Sequence, residues 1–197
     1  MIDNTIRRMK DQEFKEIFNR IERDFAPGEY APYDVILQQL QKGVQEGLIL
    51  CEGEHDDVAY SICTDGNTNG YVLISLLAVY EEFRGHGIGS VFLKELSRIY
   101  SGKQGIIVEV EKPENSLTQG ERFTRIKRIE FYEKAGFYLI PNIDYSIWDV
   151  PMHIMVLLHS ASMQPTNERV GQIMYEIYLE LMGERYIHKM KFRTVNK

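Results

Sequence analysis

The chain has 197 residues, enough for one domain of ordinary size with a terminal extension and a real hydrophobic core. Hydrophobic residues make up 44% and charged residues 26%, which excludes a mainly disordered chain and a fibrous repeat. Twenty-nine Asp and Glu against 23 Lys and Arg give a net charge of −6. That weighs against nucleic-acid binding, which draws its affinity from cations on phosphates, and suits a cationic small molecule or a basic peptide end.

No apolar run reaches the roughly 18 residues that a membrane helix needs, so no membrane contact is expected. The N-terminal MIDNTIRRMKDQEF has no apolar stretch behind its positive charges and does not read as a secretory signal. Cys51 and Cys63 are too few for a disulfide scaffold. They flank the expected turn GEHDD and either face each other across a hairpin or stand as reduced thiols in strands of a cytoplasmic protein; the second reading is preferred.

In chain order, residues 2–8 suit a short strand. Phe14, Ile17, Phe18 and Ile21 are at helical spacing within an amphipathic helix over 11–24, broken by Ala26-Pro27-Gly28. A second helix is expected over 33–46, carrying Val35, Ile36 and Leu40 and ending near Gly47. Leu48–Glu52 and Val58–Thr64 read as a hairpin, and the turn-rich Asp65–Gly70 as the lead into a further strand, Tyr71–Tyr80. That strand is almost wholly apolar, as expected of a central strand covered on both faces.

A polar, glycine-rich turn over 81–89 precedes a helix from about Ile88 to Tyr100 and a strand at Gly105–Glu111. Lys112–Gly120 reads as a loop and Glu121–Ala135 as a helix stopped by Gly136. Strands are expected near Phe137–Asn142 and Met152–His159, with Asp144–Pro151 as a loop between them. Tyr145, Trp148 and Met152 surround that loop, either lining an acceptor site or simply packing. Ser160–Thr166 reads as a linker. Beyond it, Val170, Ile173, Met174, Ile177 and Leu181 form the apolar stripe of a final helix. A strand-like run, Tyr186–Phe192, lies in a basic tail that holds five Lys or Arg over 185–197 and no acid.

The most informative stretch runs from Leu76 to Ser90. Gly85, Gly87 and Gly89 bend the backbone freely and let amides approach a ligand without a Cβ in the way. The helix that follows offers unpaired N–H groups and the positive end of its dipole, a site suited to a diphosphate, with Arg84 at its edge. A Walker A loop is excluded because Gly89 is followed by Ser90-Val91. A dinucleotide fingerprint is excluded because the sixth position is Ser90 counted from Gly85 and Phe92 counted from Gly87. A glycine-rich turn with no ligand remains open on this evidence alone.

Arg84-x-x-Gly87-x-Gly89, preceded by an apolar strand ending at Val79, resembles the acetyl-CoA loop of the GNAT N-acetyltransferase superfamily. Glu130-Phe-Tyr-Glu-Lys-Ala-Gly-Phe137 is similar to that family's second motif, and Val108–Asn115 to the strand between them. The resemblance covers 71–140 well and extends to about 1–160. It implies an α/β fold with a mixed, mostly antiparallel sheet splayed in the middle, flanked by helices, with an additional C-terminal helix. An acetyltransferase domain at 1–160 would then carry a C-terminal extension at 161–197, which could form a homodimer contact. It further implies acetyl-CoA as co-substrate. Backbone at Leu77, Ala78 and Val79 would hold the pantetheine, and Arg84, Gly85, His86, Gly87, Ile88, Gly89 and Ser90 the diphosphate. The His86 side chain is expected to face solvent.

Such transfer requires a proton acceptor and favours a proton donor for the leaving thiolate. Glu109, in Ile106-Ile-Val-Glu-Val-Glu, resembles the base of ribosomal-protein alanine N-acetyltransferases; Glu111 shares its face and is the substitute. Tyr132 matches the family's sulfur-facing acid. Where the family often has Asn and Ala, seven and four residues before that tyrosine, this chain has Arg125 and Arg128, spaced onto one stripe with Tyr132. These arginines bind cofactor phosphates or an acidic group of the substrate, or form a solvated basic face. Asn115 is the remaining asparagine that could serve. The five histidines show no ligand spacing, so no metal is expected, and no G-x-S-x-G elbow occurs. The sequence thus points to acetyl transfer to a primary amine of a small molecule or peptide. The alternative is a catalytically silent acyl-CoA sensor or interaction module.

Overall fold

A computed structural model describes residues 4–53, 56–66, 69–159 and 163–195. Parts of four expected segments lie outside these residues: the first of the 2–8 strand, the centres of the GEHDD and Asp65–Gly70 turns, and the start of the 160–166 linker. The chain divides into two compact units, residues 1–65 with 74–98, and residues 66–73 with 99–197.

The first unit opens with β1 (Asn4–Arg8), a single 3-10 turn, and α1 (Phe14–Asp24). Phe14, Ile17, Phe18 and Ile21 are all buried, as their spacing predicts. They pack with Ile36, Ile49, Tyr60, Ile62, Leu76 and Tyr80 into one core. At about 1.5–3 kcal/mol per buried large side chain, this cluster is what holds the helices on the strands.

α2 (Tyr33–Gln41) stops five residues earlier than the predicted 33–46. Gly43 has φ +71°, and its amide bonds Leu40 O at 3.0 Å while Val44 N bonds Gln39 O at 3.0 Å. That pair of bonds closes a helix end at a left-handed residue, and Gln45 is released into a strand. β2 (Gln45–Glu52) is therefore longer at its start than expected. It pairs antiparallel with β1 and with β3 (Asp56–Gly66). Cys51 sits opposite Asp57 and Cys63 opposite Glu46, so the thiols do not face each other and form no disulfide. β3 neighbours β4 (Tyr71–Val79), whose Ile74–Val79 belongs to this unit, and α3 (Ile88–Ile99) follows the glycine loop.

The second unit is built on β5 (Gly105–Glu111), at the predicted bounds. Next come α4 (Gln119–Lys134), capped by the Thr118 hydroxyl, and a two-residue β6 (Tyr138–Leu139). The predicted strand at 137–142 is cut short there, since Pro141 and the left-handed Asn142 (φ 57°) break it. The predicted 144–151 loop is instead most of a hairpin, β7 (Ile143–Ile147) and β8 (Val150–Leu158). Trp148 and Asp149 turn it with φ values of 51° and 64°. Two successive positive φ angles match the twist of a tight hairpin. α5 (Asn167–Tyr186) is capped by Thr166, and the chain returns as β9 (Met190–Thr194), paired antiparallel with β7. The sheet of this unit runs β5-β8-β7-β9, with β6 on β8. Ile107, Tyr145, Ile154 and Val156 meet Val170, Ile173, Met174 and Ile177 of α5 in its core. Both units therefore conform to the expected α/β class, with antiparallel strands flanked by helices and a C-terminal helix.

Gly105 shows how tightly β5 is seated. A Cβ there would come 2.5 Å from the Leu157 carbonyl oxygen and 3.0 Å from the Tyr71 ring. Gly105→Ala should destabilise the protein by about 2 kcal/mol, read as a lower urea midpoint at unchanged slope. Gly102→Ala, with nothing within 4 Å of the added carbon, should move the midpoint little.

Candidate active site

In the first unit, β4 alternates cleanly. Leu76, Ala78 and Tyr80 face the core, while Leu77 and Val79 are partly exposed on the opposite face. Beyond Tyr80 a 3-10 turn leads to Gly85 and Gly87, both at φ +81° with open space where a Cβ would stand. Among the described residues, no acceptor meets the amides of Gly85, His86, Gly87, Ile88 or Gly89. Ser90 differs, because its amide donates to Gly87 O at 3.0 Å and is spent on starting α3. The loop thus presents five consecutive main-chain donors at a helix N-terminus, the arrangement a diphosphate requires.

Arg84 turns away from that row. Its Nε donates to the Val79 carbonyl at 3.0 Å, and Nη2 pairs with Asp24, which also accepts from the Tyr60 hydroxyl at 2.9 Å. The arginine ties the end of β4 to α1 and steadies the loop. His86 is exposed, its Nδ1 3.4 Å from Phe83 O.

In the second unit, Glu109 lies partly buried on β5. The Tyr145 hydroxyl of β7 donates to its Oε1, and the Tyr178 hydroxyl of α5 donates to Oε2 at 2.6 Å. Burial pushes the carboxyl above its ordinary range, and the two phenol bonds pull it back in part. Both phenols are held well above their own ordinary value, by burial first and then by the neighbouring carboxylate. They are therefore neutral donors at physiological pH.

Glu111, two residues on, is committed elsewhere. Arg125 Nη2 donates to its Oε1 at 2.7 Å, and Arg128 stands 3.7 Å from Oε2. Arg125 also donates to Lys112 O at 3.0 Å, so its guanidinium joins α4 to the end of β5. Asn115 is exposed at the end of a 3-10 turn. Tyr132 is the buried residue of α4, its ring edge-on to Phe131 and Phe137 at 5.2 and 5.3 Å. Among the described residues, no group of His, Cys, Asp and Glu is arranged to hold a metal.

Sequence reasoning left the role of Tyr145 open and did not single out Tyr178. Tyr145 shares its strand face with Ile143 and Ile147, and Tyr178 stands four residues beyond the buried Met174, so both read as ordinary core positions. Their convergence on Glu109 joins positions 36 and 69 residues away, which no local pattern announces.

Residues 45–139 match the family model described as acetyltransferase (GNAT) domain. Over these residues the chain is similar to the GNAT acetyltransferase domain. Solved structures share the fold. A GNAT-family protein from Bacteroides thetaiotaomicron is 19% identical, with a TM-score of 0.72, covering 91% of this chain and 98% of its own. The ribosomal-protein-S18-alanine N-acetyltransferase of Escherichia coli is 20% identical, with a TM-score of 0.58 and coverages of 84% and 98%. Spermidine N-acetyltransferase of Vibrio cholerae, solved with CoA and spermine, is 12% identical, with a TM-score of 0.60 and coverages of 79% and 95%. No curated protein matches the chain in sequence.

The raised carboxyl of Glu109 has a consequence for stability. A group whose pKa is higher folded than unfolded contributes stability below its unfolded value, about 4.3, and loses it as pH rises through the folded value. Glu109→Gln should therefore gain stability relative to the unsubstituted protein as pH rises from about 4 toward 8, in urea unfolding across that range. A pH-independent difference between the two would contradict an enclosed, titrating Glu109.

Proposed function

We propose that the protein transfers the acetyl group of acetyl-CoA to a primary amine of a small molecule or peptide, with Glu109 as proton acceptor and Tyr132 as proton donor. The observation that carries this reading is Glu109, a desolvated carboxylate held on both oxygens within the residues similar to the GNAT domain. An amine attacks only when neutral. Freeing the lone pair of a lysine-like ammonium at pH 7 costs about 4.6 kcal/mol, and of an α-ammonium about 1 kcal/mol. A carboxyl displaced upward from its ordinary range is a better acceptor for that proton than one in open water.

The row of amides from Gly85 to Gly89 fits a diphosphate, and those residues would hold that part of acetyl-CoA, with Leu77, Ala78 and Val79 offering backbone to the pantetheine. Acetyl-CoA supplies an activated acyl group and a thiolate leaving group. Glu109 then removes the amine proton at a free lone pair of its carboxylate, and the buried Tyr132 supplies the proton for the sulfur. Arg84 keeps the loop in place through Val79 and Asp24. Arg125 joins α4 to the end of β5 through Glu111 and the Lys112 carbonyl.

An acceptor carrying positive charge suits the net charge of −6. Amine acceptors of two kinds, spermidine and a ribosomal-protein alanine, appear in the names of proteins sharing the fold. Cys51 and Cys63, neither in a disulfide, agree with a reducing compartment such as the cytoplasm.

A panel of polyamines, amino acids, aminoglycosides and peptide N-termini, read by thiol release, tests the activity. Glu109→Gln should lower kcat at least a hundredfold on the best acceptor while leaving the acetyl-CoA Kd within about twofold. Gly87→Ala places a Cβ on a left-handed residue and should weaken acetyl-CoA about tenfold. Acetyl-CoA binding with no thiol release from any amine would favour a silent acyl-CoA module instead.

A further inference from the structure

The two hydroxyls on Glu109 come from two different elements, both beyond the matched residues 45–139. Tyr145 lies on β7, just beyond the matched 45–139, while Tyr178 lies on α5 in the C-terminal part. Phenylalanine would fill either volume equally well, so the hydroxyl matters through what it touches. Each phenol takes a different carboxylate oxygen, Tyr145 at Oε1 and Tyr178 at Oε2. Two donors on two oxygens fix the carboxylate plane and leave a lone pair on each oxygen.

We propose that Tyr178 is a positioning residue for amine deprotonation: together with Tyr145 its hydroxyl orients the Glu109 carboxylate and keeps it ionised, which makes the C-terminal helix part of the working site. The proposal rests on Glu109 being the proton acceptor.

A carboxylate withdrawn from water resists ionisation unless donors or cations offset the loss. Here no cation contacts Glu109 among the described residues. Ile154, its register partner on β8, is apolar, and His153 beside it lies toward Glu114 at 3.6 Å. Glu111 on the same strand is neutralised by Arg125 and Arg128 of α4. Tyr71 and Tyr138 in the surrounding core are neutral phenols with raised pKa values. On α5, Arg169 pairs with Glu176 at 3.8 Å. The two hydroxyls are thus the groups that stabilise the charge.

α5 is held firmly enough to aim a side chain. The Thr166 hydroxyl caps its first turn, and Asn69 Nδ2 reaches Ile173 O at 3.5 Å. Gly171 lies so close under the Phe192 ring that a Cβ would approach it to 2.6 Å, and the Phe192 ring in turn meets Tyr145 in a tilted contact at 6.1 Å. The helix, β9 and both phenols therefore form one packed group.

The test is kcat/KM against pH, with the best amine of the panel, for the unsubstituted protein, Tyr178→Phe and Tyr145→Phe, with the exposed Tyr175→Phe as control. Removing a donor to the charged form raises the pKa, so the acid limb should move up by about one pH unit in Tyr178→Phe, with kcat/KM about tenfold lower below the limb. At high pH the rate should return toward the original plateau, acetyl-CoA affinity should hold, and Tyr175→Phe should not move the limb. Tyr145→Phe reads the same limb through the other oxygen, should Tyr178→Phe fail to fold. An unmoved limb in a folded Tyr178→Phe, with Glu109→Gln inactive, overturns the proposal alone. A fully active Glu109→Gln overturns the base assignment and the proposal with it.

Discussion

A carboxylate in the middle of an apolar strand costs several kcal/mol unless its charge is answered, and the answer here is two phenol hydroxyls. Most of the second unit is arranged around that requirement. β5 brings Glu109, the β7–β8 hairpin brings Tyr145, and α5 brings Tyr178. β9 returns along β7 and closes over α5 through Phe192, so the phenols are fixed from both sides. Phenols suit this task better than arginines. A cation would pull the carboxyl far below neutrality and make it a poor proton acceptor, as happens to carboxylates in tight ion pairs. On the same strand Glu111 is instead paired with Arg125 and Arg128, which tie it to α4.

The first unit uses main-chain polarity for its task. Five amides with no acceptor among the described residues stand at the start of α3, and the nearby arginine is spent on Asp24 and the Val79 carbonyl. Backbone donors are fixed by the helix and the glycine conformations, so under the proposed function they would need no ordering to receive a diphosphate. Arg84 contributes by keeping the strand end and the loop in register, a role that a charge count alone does not suggest.

Much of this was legible in the residues. α1, β4 and β5 follow from spacing and apolar runs, and the glycine loop from its three glycines. Glu109 stood out because a lone acid among Ile107, Val108 and Val110 is chemically conspicuous. What escaped was set by single backbone conformations or by distant contacts. Gly43 ends α2 early through a left-handed turn, although apolar residues continue at helical spacing. The β7–β8 turn uses Trp148-Asp149, where Asn-Gly would have announced it. Tyr178 looked like one more core residue until tertiary packing carried its hydroxyl to Glu109.

The account is tested most directly by carbon-13 NMR of side-chain carboxyls, with the Glu109 signal assigned by its loss in Glu109→Gln. A titration midpoint clearly above the ordinary value of about 4.3 is the predicted result. A midpoint at that ordinary value would mean a carboxylate in open water, and the enclosed proton acceptor would have to be given up.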